Sequence, residues 1–246
     1  MDIDVCIISV LSRRKSAERV ADAVGIPYDK ILYDNRGRSG GGDAWYNARR
    51  AWLTTSEDAT HRMILQDDII PCDDFLSIVR RCVQRLPDCA WTFYNGVWVT
   101  EAMKRLSTPY VRLNGCRVSG QALLLPREHI EPMIEWTDGF FGEAFKHDDA
   151  RVGVYCLMND LPMMGTIPSL CQHDMNVDSV IPNHNRKDRI SPTFRKDVSD
   201  EAWDSDEINQ TPIMTNDVWM PERSAKKQFC DARIREKCQE IRKCKK

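Results

Sequence analysis

Residues 63–71 place two adjacent carboxylates inside an otherwise apolar stretch, Met-Ile-Leu-Gln-Asp-Asp-Ile-Ile-Pro. A short apolar run of this kind is typical of a strand that is buried on both faces of a sheet. Ionised carboxylates inside such a strand are costly to desolvate without a cation or hydrogen-bond donors. We therefore expect the strand to end at Asp67 and Asp68, at the carboxyl edge of a sheet. There the two acids either face a divalent metal or simply meet water.

The N-terminal part of the chain has the pattern of a β-α-β unit. Residues 5–10 form a continuous apolar run, residues 15–24 have apolar side chains at helical spacing, and residues 30–33 form a second short run that ends at Asp34. Such units place ligand-binding loops at the carboxyl ends of their strands. The glycine-rich, basic segment 35–42 lacks the Gly-Lys-Ser/Thr ending of a phosphate-binding loop, which favours a surface loop.

Apolar periodicity predicts alternating helices and strands over the middle of the chain. The predicted helices cover residues 43–54, 75–86, 127–136 and 150–159, and further strands cover residues 89–94, 97–99 and 118–126 and begin again near Met163. Asp73 and Asp74 suit the N-terminus of the second helix, where acids are favoured. Gly120 would let backbone or ligand approach its strand closely. The alternation predicts an α/β fold.

Two later clusters add polar groups that are suited to chemistry. His147, Asp148 and Asp149 open the helix over residues 150–159, and His173 follows a Pro-Ser-Leu turn at the end of the strand that begins near Met163. A helix N-terminus explains one acid as a structural cap, but it explains a pair less well. A single histidine is usually structural. Its place after both acid pairs favours the interpretation of His173 as a metal ligand.

Together these clusters resemble the GT-A fold of nucleotide-sugar glycosyltransferases over roughly residues 3–195. The resemblance implies a GT-A-like α/β fold with a mixed, mostly parallel sheet flanked by helices. It also implies a metal-dependent transferase that moves a sugar from a nucleotide-sugar donor, most simply a UDP-sugar, to a hydroxyl acceptor. Mn²⁺ or Mg²⁺ would be the cofactor, and the transfer would be inverting, with retention as the alternative because the sequence gives no distances.

The resemblance assigns roles to individual residues. Gln66-Asp67-Asp68 stands where the family has its Asp-x-Asp motif, so Asp68 would bind the metal and Asp67 would lie near the ribose or the sugar. His173 would be a further metal ligand. The role of catalytic base would fall to Asp149, with Asp148 as the alternative, because the pair stands where the family has its x-Glu-Asp motif. Donor-binding roles would fall to Gln66, Asp67, Arg49 and Asp34, with Asp34 near the nucleotide base.

Two positions depart from the family's motifs and leave alternatives open. Gln66 is neutral where the family has an acid, so the ribose contact and the metal requirement stay open. Asp148 is one methylene shorter than the family's glutamate, so the base is either Asp148 or Asp149. A non-catalytic binding module on a decayed transferase fold is a rival, which Gln66 favours. A nucleotidyltransferase is a weaker rival, because the first strand-to-helix turn, residues 11–15, is basic but has no glycine.

Composition and charge divide the chain into three parts. With 246 residues and 42% hydrophobic content, the chain can form a sizeable core, which we assign to a catalytic domain over residues 1–175. Residues 176–221 are rich in Asp, Asn, Pro and Ser, and we expect a loop-rich segment that covers the active site. Residues 222–246 predict a basic helix with ten Lys and Arg against four Asp and Glu, a net charge of +6, so the chain's −2 leaves −8 for residues 1–221.

The same composition gives expectations about compartment and acceptor. No apolar segment has the length of a membrane span, the acidic start runs directly into a strand, and the ten cysteines have no zinc spacing. We expect a cytoplasmic protein without a membrane partner or a signal peptide. The acceptor is then a glycan or a small molecule, with a hydroxymethylated base in DNA as the alternative. DNA modification would use Arg105, Arg112 and Arg117 to hold phosphates.

Overall fold

The computed structural model describes residues 1–34, 44–96, 109–114, 118–142, 145–178, 189–198, 203 and 208–214. The strands in this part of the chain are β1 (Ile3–Val10), β2 (Ile31–Asp34), β3 (His61–Gln66), β4 (Ile69–Pro71), β5 (Ala90–Thr92), β6 (Tyr110–Asn114), β7 (Ala122–Pro126), β8 (Met163–Thr166), β9 (Cys171–His173) and β10 (Ile208–Met214). The α-helices are α1 (Arg14–Val24), α2 (Ala44–Leu53), α3 (Phe75–Arg85), α4 (Ile130–Phe141) and α5 (Asp148–Met158).

Eight of these strands form one mixed sheet in the order β10-β6-β8-β5-β7-β3-β1-β2. Four of its seven pairings are parallel (β1–β2, β1–β3, β5–β8 and β6–β10) and the other three are antiparallel. The remaining two, β4 and β9, form a small antiparallel sheet of their own. The molecule has the α/β class that the sequence predicts: a mixed, mostly parallel sheet flanked by helices.

The central strands are buried on both faces of the sheet. Successive side chains of a strand point to opposite faces, so neighbouring residues enter different cores. Ile7 and Leu65 contribute to a core that also contains the apolar faces of α1 and α3. Cys6 and Ile64, one residue earlier in each strand, belong to a second core with residues of α2, α4 and α5. The apolar runs in β1 and β3 are therefore continuous, since neither face meets water.

Several local predictions are confirmed, and others need correction. Gly25 ends α1 in the left-handed region, with φ 72°, where glycine has no steric cost. Asp74 precedes α3, but its side chain makes no capping hydrogen bond. The helix predicted over residues 127–136 is a 3₁₀ turn followed by α4, which continues to Phe141. The strand predicted from Met163 is two strands, β8 and β9, in different sheets.

The segment over residues 176–221 contributes to the main sheet. Its strand β10 pairs in parallel with β6, and Trp203 is buried with its ring centroid 6.0 Å from that of Tyr110. Because the apolar periodicity of this segment is low, the sequence did not indicate its edge strand β10. The boundary at residue 175 stays a prediction, and the helix predicted over residues 222–246 and the strand over 97–99 lie outside the described residues.

Two expectations about composition can be compared with the described residues. None of their helices is long and apolar enough to cross a membrane. The cysteines among them are free and buried: Cys6, Cys72, Cys82, Cys89, Cys156 and Cys171. Burial raises the pKa of thiols such as Cys6 and Cys89, so these side chains act as small apolar groups.

Candidate active site

The parallel pairing of β1 with β3 brings the turn after β1 next to the acid pair. Ile8 is aligned with Gln66, so the residues that follow the two strands meet at the same edge of the sheet. Arg13 lies in the short 3₁₀ turn after β1. Its Nη1 is 2.8 Å from Oδ1 of Asp67 and its Nη2 is 2.7 Å from Oδ2 of Asp68. One guanidinium therefore joins both carboxylates.

Asp67 is held firmly at this edge. The Ser9 hydroxyl donates to Oδ2 of Asp67 at 2.6 Å, and the Ser16 hydroxyl donates to the Asp67 backbone carbonyl at 2.6 Å. Burial and the neighbouring charge of Asp68 raise the pKa of Asp67 to about 6, although Arg13 and Ser9 act against the increase. Both of its carboxylate oxygens have protein partners, which is the arrangement of a positioning residue.

Asp68 and His173 meet because β4 and β9 pair directly after the acid pair. Ile69 is aligned with His173, and the backbone N–H of Asp174 donates to the Asp68 carbonyl at 2.7 Å. Nε2 of His173 lies 3.3 Å from Oδ2 of Asp68, within ion-pair range but without hydrogen-bond geometry. Burial would raise the pKa of Asp68, but His173 and Arg13 outweigh it and hold that pKa well below its usual range.

The ring of His173 is oriented as in a metal ligand. Its Nδ1 lies 3.2 Å from the Asp174 carbonyl oxygen, which can only accept, so the proton belongs on Nδ1. Nε2, which faces Asp68, is then the nitrogen that a metal would bind, replacing any proton that Nε2 carries beside the carboxylate; metal-binding histidines commonly donate their other ring N–H in this way. Nε2 of His173 and Oδ1 of Asp68 are both buried without a hydrogen-bond partner. Buried polar atoms of this kind call for an explanation, and a bound cation supplies one.

These atoms fit a cation that is shared with a substrate. An imidazole nitrogen and a carboxylate oxygen are suitable ligands for Mn²⁺, and Mg²⁺ usually binds one or two carboxylates together with substrate phosphates and water. Among the described residues no group of three or more His, Cys, Asp or Glu side chains is assembled as a complete metal site. Asp68 and His173 could therefore hold a metal only when other ligands complete its coordination.

Gly120 allows the second acid pair to approach the first. A Cβ at this position would lie 3.2 Å from Cβ of Asp149, 3.2 Å from Nε2 of Gln66 and 3.8 Å from Oδ2 of Asp148. The sequence predicts an approach of backbone or ligand here, but the groups that come close are side chains from the end of β3 and the start of α5. The acids at residues 148 and 149 thus lie beside the residue that immediately precedes Asp67.

The two acids of α5 have different environments. Asp148 is buried, and desolvation together with the charge of Asp149 raises its pKa to about 7. Asp149 is only half-buried, and its Oδ1 accepts the backbone N–H of Ala150 at 2.7 Å. Asp148 is therefore only partly ionised at neutral pH, and the two neighbouring acids titrate together as a pair.

A buried arginine fixes the turn that leads into these acids. Nη1 of Arg151 donates to the Thr137 carbonyl at 2.8 Å, and Nη2 donates to the Phe145 carbonyl at 2.9 Å. Its guanidinium also lies 4.6 Å from the centre of the Trp45 ring. The end of α4 and the start of α5 are joined in this way, which positions Asp148 and Asp149.

The other predicted donor-binding residues lie in two places. Asp34 ends β2 opposite Val10, at the same sheet edge as the acid pair. Arg49 is on α2, where its Nε makes an ion pair with Oδ2 of Asp138 at 2.9 Å. No contact of Arg49 with the acid pair is seen among the described residues, and the donor-binding roles of both residues stay predictions.

Residues 189–198, which follow β9 in the chain, pack against this edge of the sheet. Nε2 of Gln172 donates to the Ser191 carbonyl at 3.1 Å, and the Ser191 backbone N–H donates to Oε1 of Gln172 at 3.0 Å. The Tyr94 hydroxyl donates to the Arg189 carbonyl. Residues 189–198 therefore lie next to β9, whereas the preceding basic residues 185–188 are outside the described part of the chain.

Comparisons with known proteins find likenesses in structure rather than in sequence. No protein-family profile matches the chain, and no curated protein matches it by sequence. A crystal structure of a mutant Drosophila β-1,4-galactosyltransferase 7, in complex with manganese, UDP-Gal and xylobiose, is similar in structure at 12% identity and a TM-score of 0.39. The alignment covers 87% of this chain and 83% of that chain.

Sequence reasoning missed Arg13, Ser9 and Ser16. A signal for Arg13 was present, because the turn over residues 11–15 is basic and follows a strand that was predicted to lie in a parallel sheet. The carboxyl ends of parallel strands share one edge, so a basic turn there is a natural partner for the acids after β3. No pattern in the sequence indicates the two serines.

Proposed function

We propose that this protein is a metal-dependent glycosyltransferase that moves a sugar from a nucleotide-sugar donor to a hydroxyl acceptor with inversion. One observation carries the proposal: the Asp148–Asp149 pair lies at Gly120 beside Gln66, and Gln66 leads directly into the Asp67–Asp68 pair that His173 contacts. The Asp68–His173 pair has ligand atoms for a cation, and the Asp148–Asp149 pair has carboxyl groups that can take up a proton. Sugar transfer needs both kinds of group.

The donor half of the reaction belongs to Asp68 and His173. These residues would hold Mn²⁺ or Mg²⁺, which when bound neutralises the charge that develops on the leaving diphosphate. Asp67 holds Arg13 and the backbone around Asp68 in place through its contacts with Ser9 and Ser16. A UDP-sugar is the first donor to test, with Asp34 at the adjacent end of β2 as a candidate contact for the base.

The acceptor half belongs to the acids of α5. Asp149 would take the proton from the attacking hydroxyl, because it is the half-exposed member of the pair. Buried Asp148, with a pKa of about 7, is partly protonated at neutral pH and is less open to an acceptor than Asp149. A base opposite the leaving group gives direct displacement and inversion. This division supports Asp149 over Asp148, the alternative that the sequence leaves open.

Turnover of a panel of nucleotide sugars by the purified protein tests the proposal. We expect hydrolysis or transfer that requires Mn²⁺ or Mg²⁺ and is abolished by EDTA. Asp149→Asn should reduce the turnover rate by about 10²- to 10⁴-fold, the usual contribution of a general base, with little change in donor affinity. An Asp149→Asn enzyme of near-normal rate beside an inactive Asp148→Asn enzyme would move the base by one residue.

A non-catalytic binding module is the second candidate, and neutral Gln66 together with the Arg13 ion pairs favours it. It predicts donor binding without turnover under every metal condition, which the same panel detects. For the acceptor we propose a glycan or a small molecule first. Modified DNA is the alternative, although Arg105 and Arg117 lie outside the described residues and only Arg112, half-buried in β6, can be placed. Salt-sensitive binding of hydroxymethylated duplex DNA would reverse this order.

A further inference from the structure

Arg13 makes ion pairs with the acids that the proposed metal would also use. Its Nη2 is 2.7 Å from Oδ2 of Asp68, and its Nη1 is 2.8 Å from Oδ1 of Asp67. The side chain is 12% exposed, so these ion pairs are largely shielded from water and its screening. A guanidinium at this position neutralises two adjacent carboxylates that would otherwise repel each other in a buried site.

The geometry also shows that Arg13 is incompletely satisfied where it lies. Nε of Arg13 is buried without a hydrogen-bond partner, as are Oδ1 of Asp68 and Nε2 of His173. An unpaired buried donor costs free energy, which a new acceptor would recover. Arg13 belongs to a short 3₁₀ turn with no buried residue, so its backbone is not fixed by the core.

A divalent cation on Nε2 of His173 and the unpaired Oδ1 of Asp68 would share one carboxylate with the guanidinium, which lies 2.7 Å from Oδ2. The two positive charges would repel each other at short range. Metal binding therefore favours the departure of Arg13 from Asp68, and leaving costs its charge-assisted hydrogen bonds. A diphosphate that arrives with the metal offers the guanidinium a new anionic partner of suitable geometry.

We propose that Arg13 is an internal counter-ion that couples metal binding to diphosphate binding. Without a donor it holds Asp67 and Asp68 together and keeps the metal affinity low. When a metal and a diphosphate bind together, the metal takes Asp68 and the guanidinium moves to the diphosphate. This inference rests on the proposed function, since it assumes a metal-bound diphosphate at Asp68 and His173. Its consequence is a positive binding coupling between the two ligands.

Calorimetric titration of Mn²⁺, alone and with saturating UDP, measures this coupling directly. In the wild-type protein we expect UDP to tighten Mn²⁺ binding by about tenfold or more, within the usual range of coupling energies. In Arg13→Ala we expect Mn²⁺ alone to bind about tenfold more tightly than in wild type, because a charge-assisted contact no longer has to be broken. The tightening of Mn²⁺ binding by UDP should then be smaller than in wild type, and the part that remains should come from direct ligation of the metal by the diphosphate. Inorganic pyrophosphate in place of UDP should give the same pattern, since the diphosphate is the group that Arg13 contacts.

Arg14→Ala is the matched control for the loss of one positive charge. Arg14 is the next residue, its side chain is 69% exposed, and it makes an ion pair with Glu18 at 2.7 Å rather than with the acid pair. The Mn²⁺ affinity of the Arg14→Ala protein, and the effect of UDP on that affinity, should equal those of wild type. Arg13→Lys keeps the charge but cannot join both carboxylates with a planar fork. It should therefore raise the Mn²⁺ affinity and lower the coupling to UDP, each by less than Arg13→Ala does. It also provides the test if thermal melting shows that Arg13→Ala does not fold.

Two results would overturn the inference, and they differ in what else they imply. If wild type binds Mn²⁺ with UDP but neither Arg13 variant differs from Arg14→Ala in metal affinity or coupling, Arg13 is not the coupling residue and the proposed function is unaffected. If wild type binds no Mn²⁺ even with saturating UDP or pyrophosphate, both the inference and the proposed metal-dependent function are wrong.

Discussion

Two buried arginine–aspartate clusters lie at opposite ends of the same pair of strands. At the amino ends of β1 and β3, Asp4 is aligned with Arg62, and their side chains form an ion pair. At the carboxyl ends, Arg13 joins Asp67 and Asp68. In sequence both clusters are acids and arginines beside apolar strands. The difference between them lies in how completely their polar atoms are used.

The cluster at the amino ends is saturated. Nε of Arg62 donates to the Ala51 carbonyl at 3.0 Å, and its Nη2 donates to the same carbonyl at 2.8 Å and to the Thr54 hydroxyl at 3.0 Å. Asp4 also accepts from Nζ of Lys30 at 2.8 Å and from the Ser56 backbone N–H at 2.8 Å. Although burial acts to raise it, the pKa of Asp4 is lowered by these partners.

The cluster at the carboxyl ends has unused capacity. Nε of Arg13, Oδ1 of Asp68 and Nε2 of His173 are buried and have no hydrogen-bond partner, whereas no side-chain atom of Asp4 or Arg62 is in this condition. A saturated cluster has nothing to offer a ligand and serves stability. An unsaturated one retains donors and acceptors for a ligand that is not part of the chain.

The largest expected effect is on activity, from Asp68→Asn. Loss of the carboxylate charge should reduce transfer by about a thousandfold, the scale on which removing one electrostatic contact to a transition state acts, and metal-dependent donor binding should weaken with it. The protein should still fold, with a smaller loss of stability than from a change at Arg62, because Arg13 keeps its ion pair with Asp67. Donor binding as tight and as metal-dependent as in wild type would show that Asp68 is not a metal ligand.

Arg62→Met should have the opposite pattern. It leaves Asp4 and the Ala51 carbonyl buried with fewer partners, so we expect the free energy of unfolding to fall by about 3–5 kcal/mol. The protein that remains folded should bind donor and metal normally. Urea unfolding and metal titration of the same sample measure the two effects, and weakened metal binding in the folded protein would remove the functional distinction between the clusters.

Gly120→Ala tests the junction between the two acid pairs. The added Cβ would lie 3.2 Å from Cβ of Asp149 and from Nε2 of Gln66, so one of the two must shift by a few tenths of an ångström. Overpacking of this kind typically costs about 1–3 kcal/mol. We expect turnover to fall by about tenfold or more, because reacting groups must be precisely placed. Unchanged turnover would indicate that the start of α5 does not act together with the end of β3.

The smallest expected effect is on the pH dependence of stability. Folding raises the pKa of Asp148 from 3.8 to about 7, so between these values the folded state holds a proton that the unfolded state releases. Its contribution is complete below about pH 4 and is lost as pH rises through about 7. The free energy of unfolding should therefore change by about 1 kcal/mol or more as this contribution is lost. Urea unfolding at pH 5 and pH 8 measures it, and Asp148→Asn should remove this difference relative to wild type. An equal pH dependence in both proteins would show that Asp148 is ionised when folded.

Local periodicity by itself determined most of the elements that carry the site. The apolar runs at β1 and β3, the helical spacing of α1 and the acids that end β3 are properties of neighbouring residues, so the sequence could predict each of them. The same is true of the α/β class. Element ends such as that of α4 and the split between β8 and β9 depend on packing and were not predictable from spacing.

Only the tertiary structure decided which of these groups meet and which are satisfied. His173 reaches Asp68 because β4 pairs with β9, and Arg13 reaches both acids because β1 and β3 are parallel neighbours in one register. Contacts between distant parts of a chain leave no periodic signal, and whether a buried atom has a partner depends on three-dimensional geometry. For the same reason the sequence could suggest four acids for the site, but only folding raised the pKa of Asp148 to about 7 and left Oδ1 of Asp68 without a partner.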